Sequence, residues 1–395
     1  MQRFDYIIVG GGQSADAAAK GIRSVDDEGS ILLVGEEPHE PYERPPLSKA
    51  LWMGGESEDD IDLGTRDEGV ELRLGRRVTA VDADAHTVTD AQGAVVGYGR
   101  LLLATGGTPR SLPGLVPSER VLSYRTLDDY RQARALAADG ARAVVVGGGF
   151  IGSEMAAGLK TAGAEVSMVF PEPHIGAGRF PESLAAALDR DYERRGVRLF
   201  GGRAVSRAHS GADVVELALD DGTELTAELV VVGIGTEPNA QLAHELGLET
   251  SGGIHVDRFL RTARPDVYAC GDAMAFEHPA LGRRLRVEHE DNATASGHHA
   301  GRVMAGVEEP YDHVPFFFSD LFDNGYEAVG ELGGELQAVE DWTESADGPE
   351  RKGIVYYHDG RRLRGVLLWN TFGKVEAASE LLRRGGEVDL AHPSL

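Results

Sequence analysis

The sequence holds a single cysteine, Cys270, in 395 residues. One thiol excludes an intrachain disulfide, and it excludes a redox-active cysteine pair. It also removes any clustered-cysteine metal site, and nothing in sequence near the His298–His299 pair completes a ligand set, so no metal is expected. Lysine is nearly as scarce, with only Lys20, Lys49, Lys160, Lys352 and Lys374. The formal net charge of −26 disfavours nucleic acid and anionic membrane surfaces as partners. Two readings of that charge stay open, an acidic soluble surface set by compositional bias and adaptation to high salt. No apolar run is long enough to span a bilayer. The opening "MQRFDYIIVGGG" lacks the layout of a signal peptide, so a soluble cytoplasmic protein is expected.

Glycine, by contrast, is abundant at 52 residues, gathered in short loops without a collagen period. "DYIIVGGGQSADAAAKGIRS" reads as an apolar strand, three glycines and an alanine-rich helix, and "SILLVGEE" follows as a second buried strand ending in acid. The same order recurs in "ARAVVVGGGFIGSEMAAGLKTAG" and "AEVSMVFPE". Two βαβ units with parallel strands follow, each with a dinucleotide-binding turn. The first turn is Gly10-x-Gly12-x-x-Ala15, with Glu36 ending the next strand, where a carboxylate accepts hydrogen bonds from a ribose. The second is Gly147-x-Gly149-x-x-Gly152, with Glu172 as its acid. In each, the first glycine permits the tight turn and the second lets the backbone approach a pyrophosphate. The third, small residue lets helix and strand pack closely, and the helix N-terminus faces the phosphates. Glu172 repels a 2′-phosphate, and the nearest arginine, Arg179, lies seven residues on. NADH is therefore expected over NADPH.

From about residue 313 the texture changes. "HVPFFFSDLFDNGYEAVGEL" and "GIVYYHDGRRLRGVLLWN" alternate as antiparallel strands do, the latter around a turn at Asp359–Gly360. "KVEAASELLRRG" reads as a closing helix, and the acidic "EDWTESADGPERK" (340–352) as an exposed loop. The expected fold is α/β: two Rossmann-like dinucleotide-binding domains of the three-layer ββα type, plus an α+β C-terminal domain with an antiparallel sheet. The boundaries are 1–112 with 240–312 for the first domain, 113–239 for the second and 313–395 for the third.

"PYERPPLSKALW", "LLLATGGTPRSL", "RPDVYACGD", "GGGFIGSEMA", "VFPE", "GRRLRVEHEDNATASGHHAG" and "FFFSDLFDNGYEAVGEL" carry a more specific likeness. On them the chain resembles the two-dinucleotide flavoprotein oxidoreductases. Within these it is most similar to apoptosis-inducing factor and its bacterial relatives, and next to the NADH-dependent ferredoxin reductases of the putidaredoxin type. The resemblance implies FAD at the N-terminal turn and NADH at the second. It implies that Lys49 lies beside the flavin ring and pairs with Glu154, a cation supporting the negative charge of reduced flavin. Phe150 would cover the flavin face and move aside for nicotinamide, and Glu288 and His289 would lie by the two rings. The FAD contacts it implies are Gly10, Gly12, Gln13, Ser14, Ala15, Glu36, Arg44, Lys49, Ala104, Thr105, Gly106, Arg110, Gly271, Asp272, Glu288, His289 and Phe318. Those to NADH are Gly147, Gly149, Phe150, Ile151, Gly152, Glu154, Glu172, Gly233, Ile234 and Gly235. Two positions depart from the pattern. Phe318 stands where tryptophan is frequent, and Glu290 where the ferredoxin reductases carry tryptophan.

The cysteine that single-thiol oxidases of this fold need near position 45 is absent, and Cys270 reads as a small buried hydrophobe. Electrons therefore leave the flavin directly. The expected reaction is hydride transfer from NADH to FAD N5, then electron transfer to an external acceptor: quinone, oxygen, or a ferredoxin-like carrier. A second reading is an NADH-sensing, redox-controlled interaction or dimerisation module with slow turnover. A third is an NADH–ferredoxin or rubredoxin reductase docking its carrier on Gly282–Arg286, Gly360–Arg364 or Arg383–Arg384. Whether the C-terminal domain forms a homodimer interface or a carrier platform is left open by the sequence.

Overall fold

The structure, a computed structural model, describes residues 1–343, 348–385, 389 and 393–395. Its contacts divide the chain into two units. Unit 1 comprises residues 1–43, 58–108 and 237–316, and unit 2 residues 44–57, 109–236 and 317–395.

Unit 1 is built on a seven-stranded sheet. Strand Arg3–Val9 lies between Ile31–Val34 and Val95–Leu103, parallel to both, with Ile7 opposite Leu32 on one side and Leu101 on the other. Its last four residues are all buried, as an apolar run covered on both faces requires. Val267–Ala269 adds a further parallel strand beside Leu101–Leu103. Two helices, Gln13–Arg23 and Glu290–Met304, pack against one another at backbone distance. Small residues make this approach feasible. A Cβ on Gly21 would lie 2.1 Å from the His298 carbonyl oxygen, on Gly297 2.2 Å from that of Ser14, and on Gly301 2.1 Å from that of Ala18. Gly301→Val is accordingly expected to destabilise unit 1 by about 3 kcal/mol or more, because the obstacle is main chain that cannot rotate away. Denaturant titration followed by circular dichroism checks this.

Unit 2 holds a five-stranded parallel sheet in the order Arg198–Gly201, Glu165–Phe170, Arg142–Val146, Leu229–Val232, Val121–Ser123. A small antiparallel sheet of Val205–Ser210, Val215–Leu219 and Glu224–Ala227 accompanies it. The C-terminal residues form a five-stranded sheet in the order Phe316–Leu321, Asn324–Gly330, Leu363–Trp369, Gly353–His358, Gln337–Trp342. Helix Val375–Arg384 buries Ala378, Leu381 and Leu382. The hairpin at Asp359–Gly360 is present: Gly360 has φ +83° and the Asp359 carboxylate accepts from the Arg361 and Arg362 amides. Of the acidic stretch 340–352, Glu340–Trp342 close a strand, and residues 344–347 lie outside the described residues.

Residues 44–57 lie in sequence within the span expected for the first domain, yet pack with unit 2. The cause is local. Pro45–Ser48 forms a 3-10 turn leading into Ala50–Met53. Trp52 then anchors the segment, its indole N–H donating to the Leu47 carbonyl at 2.7 Å and its ring resting where Gly158 has no side chain. Among the described residues no helix is long and apolar enough to cross a membrane.

Candidate functional site

In unit 1 the Gly10 turn passes under the end of strand Val95–Leu103. Gly10 has φ +137°, and a Cβ there would meet the Ala104 carbonyl oxygen at 2.1 Å, so this position admits only glycine. Gly12 caps the Gln13 helix without a side-chain hydrogen bond, which leaves the first amides free for an anion. Ser14 and Ala15 are buried behind it. The Ala104-Thr105-Gly106 corner is pinned by reciprocal hydrogen bonds between Thr105 and Asn239. Glu36, beyond strand Ile31–Val34, is exposed, 3.7 Å from Arg77. Gly271 (φ +65°) opens a 3-10 turn through Asp272 and Ala273, fixed by the Ser296 hydroxyl accepting from its amide at 3.0 Å. Glu288 pairs with Arg286, and His289 is the N-cap of the Glu290 helix. Glu290, at the first helical position, accepts a 2.7 Å hydrogen bond from the Gln13 side chain. Burial, aided by the Asp291 charge, raises the Glu290 pKa. Cys270 is fully buried, and burial pushes its thiol up to about 12, so it carries no thiolate at neutral pH.

In unit 2 the second turn repeats this geometry. Gly147 has φ +119°, and a Cβ there would lie 2.3 Å from the Gly233 carbonyl oxygen. Gly149 caps the Phe150 helix, again with no side-chain bond. A Cβ on Gly152 would lie 2.0 Å from the Gly147 carbonyl oxygen. Ile151, at the second helical position, is partly exposed. Gly233, Ile234 and Gly235 follow strand Leu229–Val232, and the Gly235 carbonyl accepts from the Arg110 amide at 2.9 Å. Glu172 stands exposed just past strand Glu165–Phe170.

Four residues on from Phe150, and so on the same helix face, Glu154 is 3 % exposed. It is fully engaged. Lys49 Nζ lies 2.8 Å from one oxygen, which also accepts from Ser319 Oγ at 2.6 Å, and Ser48 Oγ donates to the other at 2.6 Å. The Pro45-Pro46 turn thus delivers two consecutive side chains, Ser48 and Lys49, onto one carboxylate. Lys49 Nζ also sits 5.1 Å above the Phe318 ring. Phe150 packs edge-on against Phe317 at 5.5 Å, and the Arg179 guanidinium lies 4.2 Å above its ring. Burial raises the pKa of Asp320, with the Lys49 charge opposing. Arg44 donates to the Arg125 carbonyl at 3.0 Å.

The residues expected from the sequence therefore fall into two groups. Gly10 to Ala15, Glu36, Ala104 to Gly106, Gly271, Asp272, Glu288 and His289 belong to unit 1. Arg44, Lys49, Arg110, Phe318 and the whole second set belong to unit 2. Sequence reasoning missed Ser48, Ser319, the Arg179–Phe150 contact and the Gln13–Glu290 bond. The serines did carry a signal, each adjoining a residue singled out, Lys49 or Phe318. At Gly10, Gly147 and Gly152 a side chain would strike neighbouring main chain, so both turns depend on glycine for their tight backbone path.

A family model described as pyridine nucleotide-disulphide oxidoreductase matches residues 4–297. The chain is 31 % identical to the putative mitochondrial apoptosis-inducing factor 1 of Drosophila melanogaster over 97 % of its own length, and spans 64 % of that protein. It is 37 % identical to the ferredoxin reductase subunit of the 5,5'-dehydrodivanillate O-demethylase of Sphingobium sp. (strain NBRC 103272 / SYK-6), covering 84 % of this chain and 82 % of that one. Among solved structures, a covalent putidaredoxin reductase–putidaredoxin complex superposes with a TM-score of 0.88 at 29 % identity, covering 97 % of this chain and 93 % of that chain.

Proposed function

The chain belongs to the pyridine nucleotide-disulphide oxidoreductase family and is an FAD-dependent NAD(P)H oxidoreductase; from that premise we propose that FAD occupies the Gly10 cradle and NADH the Gly147 cradle. Bound FAD supplies the two-electron chemistry, taking hydride at N5 and giving electrons to an external acceptor. The protein's part is positioning and electrostatics. The observation that carries the reading is the buried pair of Lys49 with Glu154, the latter on the helix that opens the second cradle. Lys49 supplies a fixed cation for the negative charge of reduced flavin, and Glu154 offsets its desolvation while Ser48 and Ser319 hold the carboxylate still. Phe150 is the movable ring that yields to nicotinamide. With Cys270 buried and protonated, no protein thiol relays the electrons.

Glu172 sets the preference for NADH. Its exposed carboxylate suits a free 2′-hydroxyl and opposes a 2′-phosphate. Glu172→Gln is expected to narrow the NADH/NADPH ratio of reduction efficiencies by roughly 10-fold. An unchanged ratio in stopped-flow titrations with both nucleotides would assign the preference elsewhere.

A second reading, delivery to a ferredoxin-like carrier, is supported by the ferredoxin reductase among the relatives and by exposed arginines at Arg361, Arg362, Arg383 and Arg384. A cytoplasmic location and a homodimer complete the proposal. Anaerobic mixing with NADH tests the main reading. Rapid flavin bleaching and prompt recovery on admitting air support a turning-over reductase. Slow reduction with a lasting long-wavelength band supports the NADH-sensing module, and no bleaching overturns both.

A further inference from the structure

Unit 1 has a cleft of about 730 Å³ between the Gln13 and Glu290 helices. Neither the fingerprint glycines nor residues 104–106 nor Asp272 line it, so it is not the dinucleotide cradle. It meets that cradle at one place, where Gln13 and Glu290, the first residues of the two helices, are hydrogen-bonded. We infer that this cleft receives a small acceptor of the quinone class, reduced by two electrons and two protons, with Glu290 as its proton donor. The inference rests on the FAD-dependent reading above.

The argument begins with spacing. Glu290, Thr294 and His298 recur every fourth residue and so form a row down one helix face, and all three line the cleft. Thr294 Oγ1 donates to Glu290 at 3.4 Å. Carboxyl, hydroxyl and imidazole each give and take protons. The row runs from the cradle end of the cleft at Glu290 to Thr294 and His298, both exposed to water.

Most of the other charges in the cleft are paired. Asp16 and Lys20 pair at 2.9 Å, Arg302 and Glu309 at 3.4 Å, and His313 and Asp291 at 2.6 Å. His299 bonds the Glu309 carbonyl, and Tyr311 donates to Asn292. Among the described residues no cation forms an ion pair with Glu290. Burial, then the like charges of Asp291 and, more weakly, Glu43, keep its carboxyl protonated at higher pH than usual, while the Gln13 and Thr294 bonds act the other way. Burial and Arg302 lower the pKa of His298, which leaves a neutral imidazole able to pass a proton on.

This arrangement separates the acceptor classes. An iron–sulfur carrier takes electrons alone and has no use for a proton donor at the point of delivery. A quinone needs a hydride equivalent and one further proton. The balance is NADH + H⁺ + quinone → NAD⁺ + hydroquinone. The hydride equivalent supplied by NADH accounts for two electrons and one proton, and the Glu290 O–H bond breaks to protonate the second quinone oxygen. The carboxylate left behind is reprotonated from water, which reaches the exposed Thr294 hydroxyl hydrogen-bonded to it. Leu63, Ala295, Pro310 and Tyr311 provide walls for a flat ring, and the volume suits a small ligand.

The test uses NADH-reduced holoenzyme reoxidised by menadione, which takes protons, or by ferricyanide, which takes electrons alone. In Glu290→Gln the menadione-to-ferricyanide ratio of reoxidation rates is expected to fall at least ~10-fold. The wild-type decline of the menadione rate with rising pH should disappear as well. Independently of turnover, menadione added to oxidised holoenzyme should shift the His298 imidazole resonance in ¹H–¹³C spectra, assigned through His298→Gln. An unchanged ratio, or a His298 resonance that does not move, overturns the cleft assignment alone. A wild-type flavin that NADH leaves coloured overturns the cleft assignment and the underlying reading together.

Discussion

Glu154→Ala is expected to slow flavin reduction by NADH about 100-fold, the usual effect of removing one preorganised electrostatic partner, and to destabilise unit 2 by about 3–5 kcal/mol, the usual effect of breaking a buried ion pair. Both numbers have the same origin. The substitution leaves the Lys49 ammonium, only 12 % exposed, without its counter-charge. It also strips Ser48 and Ser319 of the acceptor that both hydroxyls use at 2.6 Å, and a buried unsatisfied hydroxyl costs about 1–3 kcal/mol. Glu154→Gln separates the two effects. The amide oxygen still accepts from a hydroxyl, so stability recovers in part. The charge is gone, so the rate does not. Stopped-flow reduction and thermal unfolding of both variants decide the matter. Equal rates in Glu154→Gln and wild type would show that the carboxylate acts only as a structural acceptor, and would end the role given to Lys49.

That pairing was legible from the sequence only through the likeness of "PPLSK" and "GGGFIGSE" to a known pattern, since 105 residues of chain separate Lys49 from Glu154. The two dinucleotide turns needed no such help. Their glycines, helices and strand-end acids lie within about 30 residues of one another, where hydrophobic period and turn chemistry suffice. What stayed hidden is long-range. Ser319 reaches Glu154 from 165 residues away. Gln13 meets Glu290 across 277 residues, because three glycines bring their helices to backbone distance. Neither contact leaves a local pattern. Residues 44–57 pack with unit 2 because Trp52 seats on Gly158, a fit of shape between two residues unremarkable in sequence. The antiparallel C-terminal strands were legible from alternation, yet their spatial order follows from hydrogen-bond pairing that alternation does not encode.

The third position of the two turns yields the sharpest test of which cradle takes which dinucleotide. In unit 1 it is Ala15, fully buried, with its amide bonded to the Gly12 carbonyl at 2.9 Å. In unit 2 it is Gly152, where a methyl group would lie 2.0 Å from the Gly147 carbonyl oxygen. A side chain that the first turn carries natively therefore breaks the second. Gly152→Ala is expected to weaken NADH binding by roughly 100-fold, since relieving the clash moves the Gly147 turn by several tenths of an ångström against the pyrophosphate. Flavin content should stay near one per chain, because the Gly10 cradle is built from other strands. Gly10→Ala is expected to do the reverse. It adds a Cβ 2.1 Å from the Ala104 carbonyl oxygen at φ +137°, a conformation open essentially to glycine alone, and the protein should purify with most of its flavin lost. Absorbance ratios give the flavin content and NAD⁺ titration calorimetry gives the nicotinamide affinity. Flavin lost from Gly152→Ala with NAD⁺ affinity intact would exchange the two assignments, and with them the meaning of Glu36 and Glu172.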